Sequence, residues 1–79
     1  MFNLSPKPTV AEVQMSFPNA MAAVIKGSLI TRKAWNDINE YGLLADGWLT
    51  IHTKGAFHRW TVNDGDLLAV DWIILAKNN

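Results

Sequence analysis

Asp46-Gly47-Trp48-Leu49-Thr50-Ile51-His52-Thr53-Lys54-Gly55-Ala56-Phe57-His58-Arg59-Trp60 decides the fold of this chain. Asp-Gly is a hairpin-turn pair, because both of its residues accept the positive φ angles of a tight turn. The run from Trp48 to Thr53 is rich in β-branched and aromatic residues and reads as a strand. Lys54-Gly55 then forms a second turn, and Ala56 to Thr61 returns. With a two-residue loop, Ile51 pairs with His58 and His52 with Phe57. Leu49, Ile51 and Trp60 share the core face. Trp48, Thr50, His52, Phe57 and Arg59 share the other.

The pattern extends outward on both sides. Tyr41-Gly42-Leu43-Leu44-Ala45 reads as a short strand before the first turn. Ser28 to Trp35 reads as a longer one, with Leu29, Thr31, Lys33 and Trp35 on one side and Ile30, Arg32 and Ala34 on the other. Asn36 to Glu40 is polar and turn-like. Asp66 can cap a short helical turn through Ala69, and Trp72-Ile73-Ile74-Leu75 closes the sheet as a buried strand. Upstream, the spacing of Phe17, Met21, Val24 and Ile25 predicts a helix over 16–26, with Gly27 placed to end it. Pro18 fits only in its first turn. Residues 9–15 read as either a helical turn, from the capping-box spacing of Thr9 and Glu12, or an extra strand. The expectation is an α+β fold: one N-terminal helix packed on a small antiparallel β-sheet. Residues 1–15 form an arm or extra element, 16–76 a single domain, and 77–79 a polar tail.

Seventy-nine residues make one domain with a small core. A domain of this size hides only roughly 60% of its unfolded surface, so it is not expected to bury all four tryptophans, Trp35, Trp48, Trp60 and Trp72, completely. Oligomerisation is a natural way to use the surplus indole surface. Seven basic and seven acidic residues give no net charge, which argues against non-specific nucleic-acid binding. There is no cysteine, so no disulfide framework and no thiolate metal site. No apolar run approaches the roughly 20 residues of a membrane span, and the first residues lack the pattern of a signal peptide. The context reads as cytosolic.

Catalytic chemistry finds little support. His52 and His58 fall on opposite faces of the hairpin and could not share a metal. Ser28 has no nucleophile-elbow context. No glycine-rich phosphate loop is present. Asp66 and Asp71 are open to two readings, a helix cap or a carboxylate pair. The expectation is a protein that is not an enzyme and carries no metal and no cofactor.

Binding chemistry is better represented. Thr31-Arg32-Lys33-Ala34-Trp35-Asn36 is the densest polar-aromatic cluster, at a strand end entering a loop. Arg32 and Lys33 suit phosphate, Trp35 suits stacking on a base, and Asn36 suits a base edge or ribose hydroxyl. The other reading of the same residues is an exposed basic strand end, with Trp35 in the core and Asn36 forming a turn. The outer face with Trp48, His52, Phe57 and Arg59 suits either a second ligand site or a subunit interface.

Helix, Gly27, Leu29-Ile30-Thr31-Arg32-Lys33-Ala34-Trp35-Asn36, Trp60, then Asp66-Leu67-Leu68-Ala69-Val70-Asp71-Trp72 resembles a phage and prophage family of small domains that includes the type-two Thoeris anti-defence proteins. The resemblance covers about residues 16–75. It implies a sponge, which binds cyclic ADP-ribose-type signals such as glycocyclic ADP-ribose and holds them uncleaved, in some members with a separate site for cyclic dinucleotides. It also implies a homotetramer with pockets between subunits, acting in the cytoplasm of the infected bacterial host as an inhibitor of anti-phage defence. By position, Trp35 and Asn36 look like the ligand-facing pair, with Arg32 nearby. Trp60, Asp66, Asp71 and Trp72 look mostly structural. The chain departs from the family at Phe17-Pro18-Asn19-Ala20, where many relatives have Phe-Gly-Glu-Ala. It departs again at Ala34 and Asp37, where many have glycine on both sides of the Trp-Asn pair. A carboxylate at Asp37 disfavours phosphate unless it turns away. Two other function classes stand beside the sponge. One is a structural or protein-interaction module of a phage without a small-molecule ligand; the other is a nucleotide hydrolase, which requires turnover.

Overall fold

A computed structural model of the chain describes residues 13–77. Its centre is a five-stranded, wholly antiparallel sheet with strands in the order β4-β3-β2-β1-β5. The strands are β1 (Ser28–Arg32), β2 (Tyr41–Ala45), β3 (Trp48–Thr53), β4 (Ala56–Arg59) and β5 (Trp72–Lys77). Helix α1 (Phe17–Ile25) packs on one face, a short helix α2 (Asp64–Leu68) precedes β5, and a 3-10 turn (Lys33–Trp35) follows β1. The expected α+β class, one main helix on an antiparallel sheet, is what the chain adopts. The boxed helix start at Thr9 and Glu12 lies outside the described residues. Within them, Met15 forms an isolated antiparallel bridge with Trp72.

Local chemistry explains most of these elements. Both hairpin turns have positive φ at their two central residues, Asp46 (51°) with Gly47 (82°) and Lys54 (53°) with Gly55 (78°). Such turns match the twist of antiparallel strands and fix their register. His52 accordingly pairs with Phe57, and Ile51 with His58, as the two-residue loop requires. Helix α1 takes Pro18 in its first turn, where no amide hydrogen bond is lost. It ends at Gly27, whose φ of 102° suits a residue without a side chain.

The core forms between α1 and one face of the sheet. Phe17, Ala20, Val24, Ile30, Trp60 and Trp72 are its buried members. Phe17 meets Trp72 at 5.6 Å and Trp60 at 6.1 Å between ring centroids. Gly42 makes room for Trp60: a Cβ there would stand 2.9 Å from the indole Cε3. Trp60 and Trp72 are thus core residues, as read from the sequence. Ile25, expected on the buried stripe, is 73% exposed, and fully buried Ala20 takes the inner position with Phe17 and Val24. The positions i, i+3 and i+7 face the sheet and turn i+8 outward.

Three further expectations are corrected. The strand from Ser28 stops at Arg32 rather than Trp35. The side chain of Asp71 accepts the Ala34 N–H at 2.8 Å, and the Asp71 carbonyl accepts the Lys33 N–H at 3.1 Å, so the chain curls at this point. Asp66 is not the cap of α2. Asn63 is, its Oδ1 accepting the Asp66 N–H at 2.7 Å. The return strand ends at Arg59 rather than Thr61, and Trp60 turns its ring into the core while its N–H still reaches the Leu49 carbonyl at 3.1 Å.

Candidate functional site

A cleft of ≈ 530 Å³ opens where β1 ends, lined by Thr31, Arg32, Lys33, Asn36, Asp37, Ile38 and Ile73. Its volume is in the range of small-molecule sites. Thr31 and Ile73 are register partners on β1 and β5. They share the sheet face opposite to Arg32 and its partner Trp72, because side chains alternate along a strand. The cleft therefore reaches around the end of the sheet, and the 3-10 turn carries the remaining residues past it.

Arg32 is held by two carboxylates. Its Nε donates to Asp71 Oδ1 at 2.8 Å, and its Nη1 stands 3.6 Å from Asp66 Oδ1. The guanidinium carbon lies 5.9 Å from the Trp72 ring centroid. Burial pushes the Asp71 carboxyl up. The hydrogen bonds from the Arg32 side chain and the Ala34 N–H, with the guanidinium charge, outweigh this and hold it below the ordinary carboxylate value. Asp66 is buried, and its carbonyl accepts the Trp72 indole N–H at 3.1 Å. Asp66 and Asp71 thus form a pair only through the arginine between them.

Asn36 closes the 3-10 turn in the left-handed region, φ 53° and ψ 37°, with its N–H on the Lys33 carbonyl at 3.1 Å. Asparagine tolerates that conformation better than most residues. The loop beyond it is firmly tied. Asp37 Oδ1 accepts the Asn39 N–H at 2.8 Å, and its carbonyl accepts the Glu40 N–H at 3.0 Å. Thr31 Oγ1 donates to the Glu40 carbonyl at 2.7 Å, and Thr53 Oγ1 donates to Glu40 Oε2 at 3.1 Å. His52 Nδ1 lies 2.6 Å from the Asn39 carbonyl, which can only accept, so that nitrogen carries the hydrogen.

Of the five residues read from the sequence as ligand-binding, Thr31, Arg32, Lys33 and Asn36 meet in the cleft. Trp35 does not line it. Its indole is partly buried on the core side, edge-on to Trp72 at 5.3 Å and to Trp60 at 6.4 Å. Sequence reasoning set Asp37 aside and did not place Ile38 or Ile73 at the site. The Asp37-x-Asn39 spacing of an Asx turn was the signal for the first; the other two carry none.

The outer face of the hairpin also assembles as the register implies. Arg59 lies over the Trp48 ring at 3.6 Å. His52 stacks on Tyr41 at 4.8 Å and meets Phe57 at 4.7 Å. Trp48 is 55% exposed and Phe57 59%. His52 and His58 are on opposite faces, and the described residues hold no group of three or more potential metal-ligating histidine, cysteine or acidic side chains. No described helix is long and apolar enough to cross a membrane.

Comparison with protein families matches residues 15–75 to the Thoeris anti-defense 2-like domain. No curated protein matches the chain.

Proposed function

This chain belongs to the Thoeris anti-defense 2-like family, and we propose that within it the protein acts as a non-enzymatic sponge. The family name points to inhibition of the Thoeris defence. The proposed ligand is a nucleotide-derived second messenger of the cyclic ADP-ribose type, held without cleavage in the cytoplasm of the infected cell.

The observation that carries this reading is the meeting of Thr31, Arg32, Lys33 and Asn36 in one cleft at a strand end. Lys33 and Arg32 supply charge for phosphate, and the Asn36 amide supplies both a donor and an acceptor for a base edge or sugar. Hydrogen bonds to charged groups contribute about 1.5–3 kcal/mol each, and base stacking about 1–3 kcal/mol. Sub-micromolar affinity, about −8 kcal/mol or better, therefore needs several such contacts in an enclosed site. A cleft in one small domain encloses too little for this, so the proposal includes a homo-oligomer, a tetramer by family likeness. Its pocket is completed by a second subunit, to which Trp35 presents the part of its indole that is not buried. Trp48, His52, Phe57 and Arg59 on the outer face are the residues we assign to a subunit contact or to a second, cyclic-dinucleotide site.

Calorimetric titration of the purified protein with glycocyclic ADP-ribose and with cyclic dinucleotides tests the reading. Tight binding and recovery of the intact ligand after denaturation are expected. No heat with any of them refutes the ligand. A mass spectrum of small molecules extracted from protein purified from infected cells separates the sponge from a purely structural phage module, which carries none.

A further inference from the structure

The cleft carries a feature that phosphate recognition does not explain. Its lining includes Asp37, and the two carboxylates of Asp66 and Asp71 stand behind Arg32. Two cations thus share this corner of the protein with three carboxylates. A ligand offering only phosphate meets the Asp37 carboxylate here as well as the cations. A ligand that also offers hydrogen-bond donors gains at Asp37 what its phosphate loses.

Asp37 is also built for the purpose. An ionised carboxylate only accepts hydrogen bonds, at about four lone-pair sites. The Asn39 N–H occupies one of these, at 2.8 Å, and fixes the orientation of the group. The loop is anchored in turn by Thr31 on the Glu40 carbonyl and by His52 on the Asn39 carbonyl. Asp37 itself is exposed at the cleft, and its remaining acceptor sites are pre-organised rather than swept over many rotamers. A fixed carboxylate with spare acceptor sites matches a vicinal hydroxyl pair. Acidic side chains bind ribose hydroxyls in dinucleotide sites for the same reason.

We propose that Asp37 is the specificity-determining residue of the cleft, and that it selects nucleotides carrying free ribose hydroxyls over those whose sugar hydroxyls are missing. The proposal rests on the reading of the cleft as a nucleotide site.

The test uses the full-length protein and calorimetry in the presence of EDTA, so that no metal bridges carboxylate and phosphate. The probes are glycocyclic ADP-ribose and a deoxy analogue of equal charge. The native protein should prefer the hydroxylated probe by about tenfold or more, the scale of one hydrogen bond to a charged group. Asp37→Asn keeps an oxygen for the Asn39 N–H but loses the charge and half of the acceptor capacity. It should shrink the preference to roughly twofold, mainly by weakening the hydroxylated probe. Should that variant unfold, as read by tryptophan emission, Asp37→Ser keeps a short turn acceptor and serves in its place. A native protein that binds both probes equally, or a variant that keeps the full preference, overturns the role of Asp37 and leaves the sponge standing. Failure of the native protein to bind either probe overturns both.

Discussion

Arg32 and Asp71, 39 residues apart in sequence, are joined by a 2.8 Å hydrogen bond that sets the end of β1 against the start of β5. The second oxygen of Asp71 takes the Ala34 N–H at 2.8 Å, so one carboxylate orients a cleft cation and also starts the turn that carries Asn36. Removing it leaves a partly buried guanidinium and an amide without their acceptor. Asp71→Ala should cost about 1–3 kcal/mol in urea denaturation, the range for a charged hydrogen-bonding group left unsatisfied. Asp71→Asn should cost less, because its amide oxygen can serve one of the two donors. Equal stability of Asp71→Ala and the native protein would show that the bridge is dispensable.

The same carboxylate gives stability a pH dependence. The folded-state pKa of Asp71 lies below its ordinary value, so the folded state binds that proton more weakly than the unfolded state. The contribution is therefore complete above the unfolded carboxylate range, about pH 4, and is lost as pH falls through the folded value. Denaturation measured from pH 7 down to pH 3 should show stability declining in acid. In Asp71→Asn the decline should be shallower. Parallel curves for the two proteins would remove Asp71 as a contributor.

How far the fold was legible follows from where its instructions lie. Asp46-Gly47 and Lys54-Gly55 act locally, and their backbone angles fix the register of β2, β3 and β4. The outer and core faces of that hairpin could then be read by alternation alone. The turn after Arg32 could not, because its cause is a carboxylate 37 residues beyond Ala34. Strand propensity through Lys33-Ala34-Trp35 lost to a tertiary hydrogen bond. The position of Trp35 followed the turn, which carried the indole toward Trp60 and Trp72 and left its polar neighbours at the cleft. Asp66 illustrates a subtler limit. Asn63 and Asp66 are both good caps, and the ion pair of buried Asp66 with Arg32 leaves the cap to Asn63.

Gly42 is the point where β2 yields to the core. Its missing side chain is the space into which the Trp60 ring settles. Gly42→Ala forces either the indole or the strand to move, and overpacking of this kind costs about 1–3 kcal/mol. The displacement should also alter tryptophan emission, because Trp60 touches Phe17, Trp35 and Trp72. An alanine variant with native stability and spectrum would mean the ring has room that the packing denies.

Thr31 links the sheet to the cleft loop through one hydroxyl, which donates to the Glu40 carbonyl at 2.7 Å inside a buried position. Thr31→Val keeps the shape and removes the donor, leaving that carbonyl without it. A loss of about 1 kcal/mol is expected in denaturation, with faster amide exchange at Asn39 and Glu40. Loss of stability without faster exchange in the loop would assign the effect to the strand alone.

Asn36 offers the cleanest separation of backbone from chemistry, because its left-handed conformation has an alternative tenant. Glycine enters that region without penalty, so Asn36→Gly should leave folding stability within about 0.5 kcal/mol of native. Valine at the same position is strained by its branched Cβ and should destabilise the protein by about 1–3 kcal/mol. The glycine variant therefore removes the amide alone. If the amide reads the nucleotide, calorimetric affinity for glycocyclic ADP-ribose should fall by about tenfold in a protein that melts normally. Undiminished affinity in Asn36→Gly would confine Asn36 to shaping the turn, and would shift the reading of the ligand to Arg32, Lys33 and Asp37.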